Sequence, residues 1–128
     1  IKYYGGVVQI MPVFATIFLV FTMANLSLPA TSSFVGEFLV LIGAFSSNTL
    51  VAFLATTGII TGAAYSLWLY NRVVFGNLKV TYINHFYDIT RRELFTFTPL
   101  LILTIYMGIY PSIFLDPMYI SLINCINY

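Results

Sequence analysis

Glu37 is an ionisable carboxyl inside Phe34-Val35-Gly36-Glu37-Phe38-Leu39-Val40-Leu41-Ile42, a run that otherwise suits lipid. A carboxylate at membrane depth is expensive, so such groups face a bundle interior or a water-filled path and tend to be functional. Just upstream, Asn25-Leu26-Ser27-Leu28-Pro29-Ala30-Thr31-Ser32-Ser33 is a proline-interrupted polar stretch within hydrophobic sequence. An acid beside a broken helix is the arrangement an intramembrane proton or ion site needs. Burial favours the neutral acid and a nearby cation favours the carboxylate, so a group poised between them exchanges a proton as its surroundings change. Glu37 is therefore the candidate proton-transfer residue. Asn25, Ser27, Thr31, Ser32 and Ser33 serve either to cap the interrupted helix or to hold water leading to Glu37, and Tyr65 could add a hydroxyl. The competing reading makes Glu37 a packing residue bonded to a neighbouring helix.

Composition sets the class. The 128 residues are 60% hydrophobic and 7% charged, with mean hydropathy +0.95, whereas soluble domains carry about 25% charged residues. So little charge cannot cover a soluble surface, and lipid or other membrane subunits must cover it instead. The net charge of +1 comes with no cluster of basic residues suggesting nucleic acid. Cys125 is the sole cysteine, so no internal disulfide is possible. No phosphate-binding glycine loop, nucleophile–base pair, metal-ligand spacing or haem or iron–sulfur ligand set appears, and no redox or hydrolytic chemistry is expected of this chain.

The elements are set by the hydrophobic pattern. Apolar stretches at about 11–28 and 34–45 are each short of the ~20 residues of a full crossing. Pro29 pushes Leu28 out of the α region, and Thr31, Ser32 and Ser33 can cap a second half-helix. The pair reads either as one broken crossing over 11–45, interrupted near 28–33 at Pro29, or as a tight hairpin. Residues 50–74 are long enough to span, and Gly58 and Gly62 form a small-xxx-small pattern suited to close helix packing. The segment 75–93 is the only extended hydrophilic stretch, with His85 and Asp88 in it. Thr90-Arg91-Arg92-Glu93 has the form of a capping box, with Asp88 adding negative charge near that helix start. A last span at 94–115 contains Pro99, and an apolar tail occupies 116–128. Arg72, Lys79, Arg91 and Arg92 flank one short loop and place it on the cytoplasmic or matrix side. Lys2 falls on that side only if 11–45 is one broken crossing. The expected fold is an all-α polytopic membrane protein. Its few spans imply partner helices, and its opening at Ile1 reads as part of a longer or split polypeptide.

Three segments carry a resemblance. Met23-Ala24-Asn25-Leu26-Ser27-Leu28-Pro29, Gly36-Glu37-Phe38 and Gly62-Ala63-Ala64-Tyr65-Ser66-Leu67-Trp68-Leu69-Tyr70-Asn71-Arg72 resemble the C-terminal part of the subunit 4 family of proton-pumping NADH:ubiquinone oxidoreductase, respiratory complex I. Tyr3-Tyr4-Gly5-Gly6 and Phe75-Gly76-Asn77 are similar to plant and protist mitochondrial versions. The resemblance implies an antiporter-like inverted-repeat bundle, of which this chain supplies the second broken helix and two further transmembrane helices. It assigns Glu37 to the hydrophilic axis of the membrane arm. It further implies the mitochondrial inner membrane, with loop 75–93 in the matrix. The expected partners are the N-terminal remainder of the subunit, other membrane-arm subunits and lipids, with no nucleic acid. NADH, FMN, iron–sulfur clusters and ubiquinone would bind other subunits, and none would bind here. The family's other key ionisable residues lie earlier in its chains and have no counterpart in this sequence. A Mrp-type cation/proton antiporter subunit is the alternative, sharing the fold without oxidoreductase chemistry.

Overall fold

The computed structural model describes residues 4–78 and 86–126. Lys2, Lys79 and His85 lie outside the described residues. After a single 3-10 turn at Val7–Gln9, the described residues form five helices: α1 Pro12–Asn25, α2 Ser32–Ser47, α3 Thr49–Val74, α4 Arg91–Ile109 and α5 Ser112–Ile126. Of these, α3 and α4 are long and apolar enough to cross a membrane. At 1.5 Å per residue, the 26 residues of α3 reach about 39 Å.

The longest helix organises the rest. α1 lies along the second half of α3, running the opposite way. The Phe18 and Tyr70 rings are 5.7 Å apart, and the Tyr70 hydroxyl donates to the Ala15 carbonyl at 3.4 Å. α2 lies along the first half, where Phe38, Leu41 and Phe45 share an apolar groove with Ala52, Phe53 and Thr56. The two short helices thus succeed one another along α3, as a single interrupted crossing does, instead of pairing side by side. Ala15, Tyr70 and Val74 form the buried centre, with Val8, Phe18 and Leu19 packed against it.

α1 ends in a Schellman motif. The Ser27 N–H donates to Ala24 O at 3.1 Å and the Leu28 N–H to Met23 O at 3.3 Å. Ser27 adopts φ +55°, the left-handed conformation this cap requires and glycine usually supplies. Pro29 then prevents the helix from resuming. α2 starts differently from expectation. Thr31 occupies the cap position, but its hydroxyl donates backwards to Leu28 O at 2.7 Å and does not cap the helix. Ser32 and Ser33 are the first two helical residues. The cap of α3 is Asn48, whose side-chain oxygen accepts from the Leu50 N–H at 3.0 Å.

Asp88 also departs from expectation. It serves the start of α1, 75 residues away, and not the start of α4. Its carboxylate accepts from the Val13 N–H at 3.0 Å, the Phe14 N–H at 3.2 Å and the Ile89 N–H at 2.7 Å. Pro12 opens α1, and Met11 offers no capping side chain, so a distant carboxylate satisfies donors that have no partner within the helix. The start of α4 is served by Glu93, whose carboxylate accepts the Thr90 N–H at 2.8 Å and the Thr90 hydroxyl at 2.9 Å.

α4 runs beside α1 in the same direction. Asp88 meets Val13, the Phe97 ring lies 6.2 Å from Phe21, and Gly108 abuts the backbone of Ala30. At the other end, the Gly6 N–H donates to Phe75 O at 3.2 Å. Gly6 has φ +72°, and a Cβ there would lie 2.8 Å from Gly76 O, so only glycine fits. The N-terminus of α1, the C-terminus of α3 and the N-terminus of α4 therefore share one end. Arg72, Arg91 and Arg92 all sit at that end.

The apolar stretch after Pro111 is helical. The Pro111 carbonyl accepts from the Phe114 and Leu115 N–H groups, both at 3.0 Å, which starts α5 as a separate helix. α4 consequently stops at Ile109, short of the 115 expected. Pro117 is held within α5 as its sixth residue, where it cannot donate the amide bond that a helix residue past the first turn normally makes.

The Asp88 clasp yields a direct prediction. Burial pushes the Asp88 carboxyl up, but bonds from Val13, Ile89 and Phe14 outweigh it and hold the carboxyl below its ordinary range. A depressed carboxyl stabilises above its unfolded value and loses that contribution as pH falls through the folded one. The Val13 and Phe14 amides have no acceptor within α1, so their hydrogen-exchange protection reports Asp88 alone. Asp88→Ala should abolish that protection at neutral pH and cost about 1 kcal/mol, as helix-cap deletions do. In the unaltered protein the protection should persist down to acid pH below the usual carboxylate range. Protection retained in Asp88→Ala would refute the clasp.

Candidate functional site

Glu37 sits in the second turn of α2, six residues into the helix after the break. Its side chain is exposed in the described chain and lines a cleft of about 370 Å³. The end of α1 supplies Asn25 and Leu26 to this cleft, and α3 supplies Ala55, Gly58, Ile59, Thr61, Gly62, Ala63 and Tyr65. The break makes this possible. α1 stops at Asn25 and α2 starts at Ser32, so an amide from one half-helix and a carboxyl from the other open onto the same face of α3.

Asn25 is anchored on that face. Its side-chain N–H donates to the Ser66 hydroxyl at 3.5 Å, and the Ser66 hydroxyl donates to the Gly62 carbonyl at 2.9 Å. Ser66 is 3% exposed. With its nitrogen engaged, the Asn25 carboxamide keeps its oxygen as an acceptor. The Thr61 hydroxyl donates to Gly58 O at 2.9 Å within its own helix. The cleft wall thus combines one carboxyl, one amide, one phenol and helix carbonyls that already carry a hydroxyl.

The sequence singled out seven polar or acidic residues for this site, and one of them, Ser27, is not among the residues lining the cleft. The structure brings Asn25, Glu37 and Tyr65 together around the cleft. Thr31, Ser32 and Ser33 are not among its lining residues and cluster at the start of α2, with Pro29 in the connection before them. Sequence reading missed Thr61 and Ser66 as cleft neighbours, and it took Gly58 and Gly62 for helix-contact positions. A Cβ at Gly58 would meet nothing within 4 Å, and one at Gly62 would meet only the Tyr65 ring at 3.8 Å. Within the described residues these glycines leave space and do not admit a neighbouring backbone. The signal was present in the spacing. Ala55, Gly58, Gly62 and Tyr65 recur three or four residues apart and so fall on one helical face.

Cations stand apart from Glu37. Between Lys2 and Arg72 the sequence has no Lys or Arg. Arg72 lies ten residues beyond Gly62, about 15 Å further along α3, where it lines a separate recess with Tyr4, Asn71 and Gly76.

Comparison with known proteins agrees with this architecture. Residues 1–62 match a family model described as NADH:quinone oxidoreductase/Mrp antiporter, TM. The whole chain is 59% identical to NADH-ubiquinone oxidoreductase chain 4 of Marchantia polymorpha and 57% identical to that of Arabidopsis thaliana, covering 26% of each. Over 113 residues, 88% of the chain, it is 54% identical to NADH-quinone oxidoreductase subunit M of Rhodobacter capsulatus, covering 22% of it. The chain therefore spans about a quarter of the length of the curated relatives it matches and corresponds to their C-terminal part. With its helical membrane architecture, its interrupted crossing and these identities, the chain belongs to the NADH:quinone oxidoreductase/Mrp antiporter family of membrane subunits.

Proposed function

We propose that this chain forms part of the proton-translocation path of respiratory complex I, with Glu37 as the group that takes up and releases the proton. The observation that carries the reading is the placement of Glu37. An intramembrane carboxyl opens onto a 370 Å³ cleft at an interrupted helix, with Asn25 and Tyr65 beside it. Carboxyls at such breaks mark ion and proton pathways. The carboxyl makes its chemistry available by changing charge. When electron transfer elsewhere in the complex alters the local field, the balance between neutral acid and carboxylate shifts, and the proton moves to or from water in the cleft. Asn25, anchored through Ser66, offers an acceptor to the protonated acid or to such a water, and Tyr65 offers both a donor and an acceptor.

In this reading the chain does no redox chemistry. NADH, FMN, iron–sulfur clusters and ubiquinone are bound by other subunits, and the chain contributes to the enzyme as a membrane subunit. Its partners are the rest of its own subunit, neighbouring membrane-arm subunits and lipids. The basic end carrying Arg72, Arg91 and Arg92 faces the mitochondrial matrix, in accord with the positive-inside rule, and the membrane is the inner mitochondrial one. A Mrp-type antiporter subunit shares the matched family description, but the relatives that match the full chain at 51–59% identity are named as oxidoreductase chains. Affinity purification separates the two. This chain should bring with it subunits bearing flavin and iron–sulfur absorbance, and their absence from an intact membrane complex would favour the antiporter.

Two substitutions test the path in the fully assembled complex. Glu37→Gln keeps shape and hydrogen bonding but cannot change charge. Proton pumping and coupled NADH:quinone turnover should fall by about tenfold or more, a modest value for a positioned proton-transfer group. Wild-type pumping in this variant would make Glu37 structural. Gly58→Val narrows the cleft at a lining position where an added Cβ meets nothing within 4 Å among the described residues. It should leave assembly intact and reduce pumping. Unimpaired pumping with the cleft narrowed would move the path elsewhere.

A further inference from the structure

The break has features that the proton path above leaves unused. Ser27 and Ala30 both hold left-handed backbone, with φ +55° and +76°. Neither residue type favours that conformation, which glycine and asparagine reach far more readily. Conformations of this kind persist only where the surroundings impose them. The Ser27 hydroxyl is buried without a hydrogen-bond partner among the described residues, so it does not supply the restraint.

The restraint comes from α4. A Cβ built at Gly108 would overlap the Ala30 carbonyl group and lie 2.6 Å from the carbonyl carbon of Thr31. This is backbone against backbone, with no flexible side chain able to give way. By contrast, a Cβ at Gly36, Gly43 or Gly58 would meet nothing within 4 Å. Gly108 lies one residue from the end of α4, where the helix passes the connection between α1 and α2.

We infer that Gly108 is a positioning residue for the interrupted helix. Its missing side chain forms a notch in α4 that seats the Ala30–Thr31 backbone. That seat holds the left-handed geometry of the break and fixes where α2 begins. Glu37 is five residues past that start, on a rigid helix, so the notch sets where the carboxyl stands against the α3 cleft. The last step rests on Glu37 being the proton carrier, and the seat itself does not.

The test uses the assembled complex with Gly108→Ala, the double variant Gly108→Ala/Ala30→Gly, and Gly43→Ala as a control. The first readout is hydrogen exchange at the Leu28 and Thr31 amides, which bond to Met23 O and Leu28 O within the break. The second is protons pumped per NADH oxidised, measured across pH. In Gly108→Ala both amides should exchange about tenfold faster or more, as the local opening energy falls. The pumping yield should drop and its pH profile should shift. A glycine at 30 can move away from the added methyl, so the double variant should recover on both readouts, and Gly43→Ala should match the wild type. Unchanged exchange in an assembled Gly108→Ala complex overturns the seat. If Gly108→Ala does not assemble, recovery of assembly in the double variant supports the seat, and failure of the double variant overturns it. Faster exchange with unchanged pumping keeps the seat and overturns its link to proton movement. Glu37→Gln run in parallel shows whether that link failed because Glu37 carries no proton.

Discussion

In hydrocarbon an unpaired backbone amide or carbonyl costs several kcal/mol, and a helix that stops partway across a membrane exposes several at once. The connection from Leu26 to Thr31 meets this constraint by bonding to itself. Leu26, Ser27 and Leu28 close back onto the last turn of α1, and the Leu28 carbonyl receives both the amide and the hydroxyl of Thr31. Only because those groups are satisfied can α1 end at Asn25 and α2 begin afresh at Ser32. The gap between them gives a carboxyl and an amide access to one cleft. The conformational cost falls on Ser27 and Ala30, about 1–2 kcal/mol for each left-handed L-residue, and it must be offset by packing from neighbouring helices.

At the break itself α4 provides it, through Gly108 against the Ala30–Thr31 backbone, while α3 packs against the two half-helices. It is long enough to underlie both half-helices, and each uses a different chemistry against it. The α1 contact is aromatic and buried, through Phe18, Tyr70 and the fully enclosed Val74. The α2 contact begins as an apolar groove near Phe45 and ends as the cleft around Glu37. The change from sealed to open tracks the residues of α3. Ala55, Gly58 and Gly62 leave room on the face turned away from Phe53 and Ile60, which are among the most exposed large side chains.

Charge is segregated along the molecule. Asp88 and Glu93 are each engaged with helix starts, and the described arginines sit at the same end. Glu37 stands alone on the exposed cleft within an apolar stretch, with no cation nearer in the sequence than Arg72 and Lys2. That separation leaves a charged Glu37 dependent on water or on groups outside the described residues, which suits a carboxyl whose proposed role is to change its charge. The Asp88 clasp joins the two regions mechanically. A residue of the basic end anchors the first turn of α1, and the last turn of α1 carries Asn25 into the cleft.

Several of these features are legible in the sequence because they are local or compositional. The scarcity of charge requires a membrane. Pro29 within an apolar stretch interrupts a helix, since its ring excludes the α conformation at Leu28. Thr90 and Glu93, three residues apart, pair across one helical turn. Glu37 stands out by solvation cost alone. What the tertiary structure decided involves partners far apart in the chain. The sequence pattern around Asp88 favours the nearest helix start, but the carboxylate goes to α1 because Val13 and Phe14 there lack any other acceptor. Thr31 has the right type for a cap but turns back to Leu28, whose carbonyl the break would otherwise leave short of donors. Gly58 and Gly62 have the spacing of a helix contact, and only the course of α2 shows that among the described residues they border a cleft. Gly108 carries no sequence signal at all. Its importance arises from the approach of α4 to Ala30, a distance that no local pattern encodes.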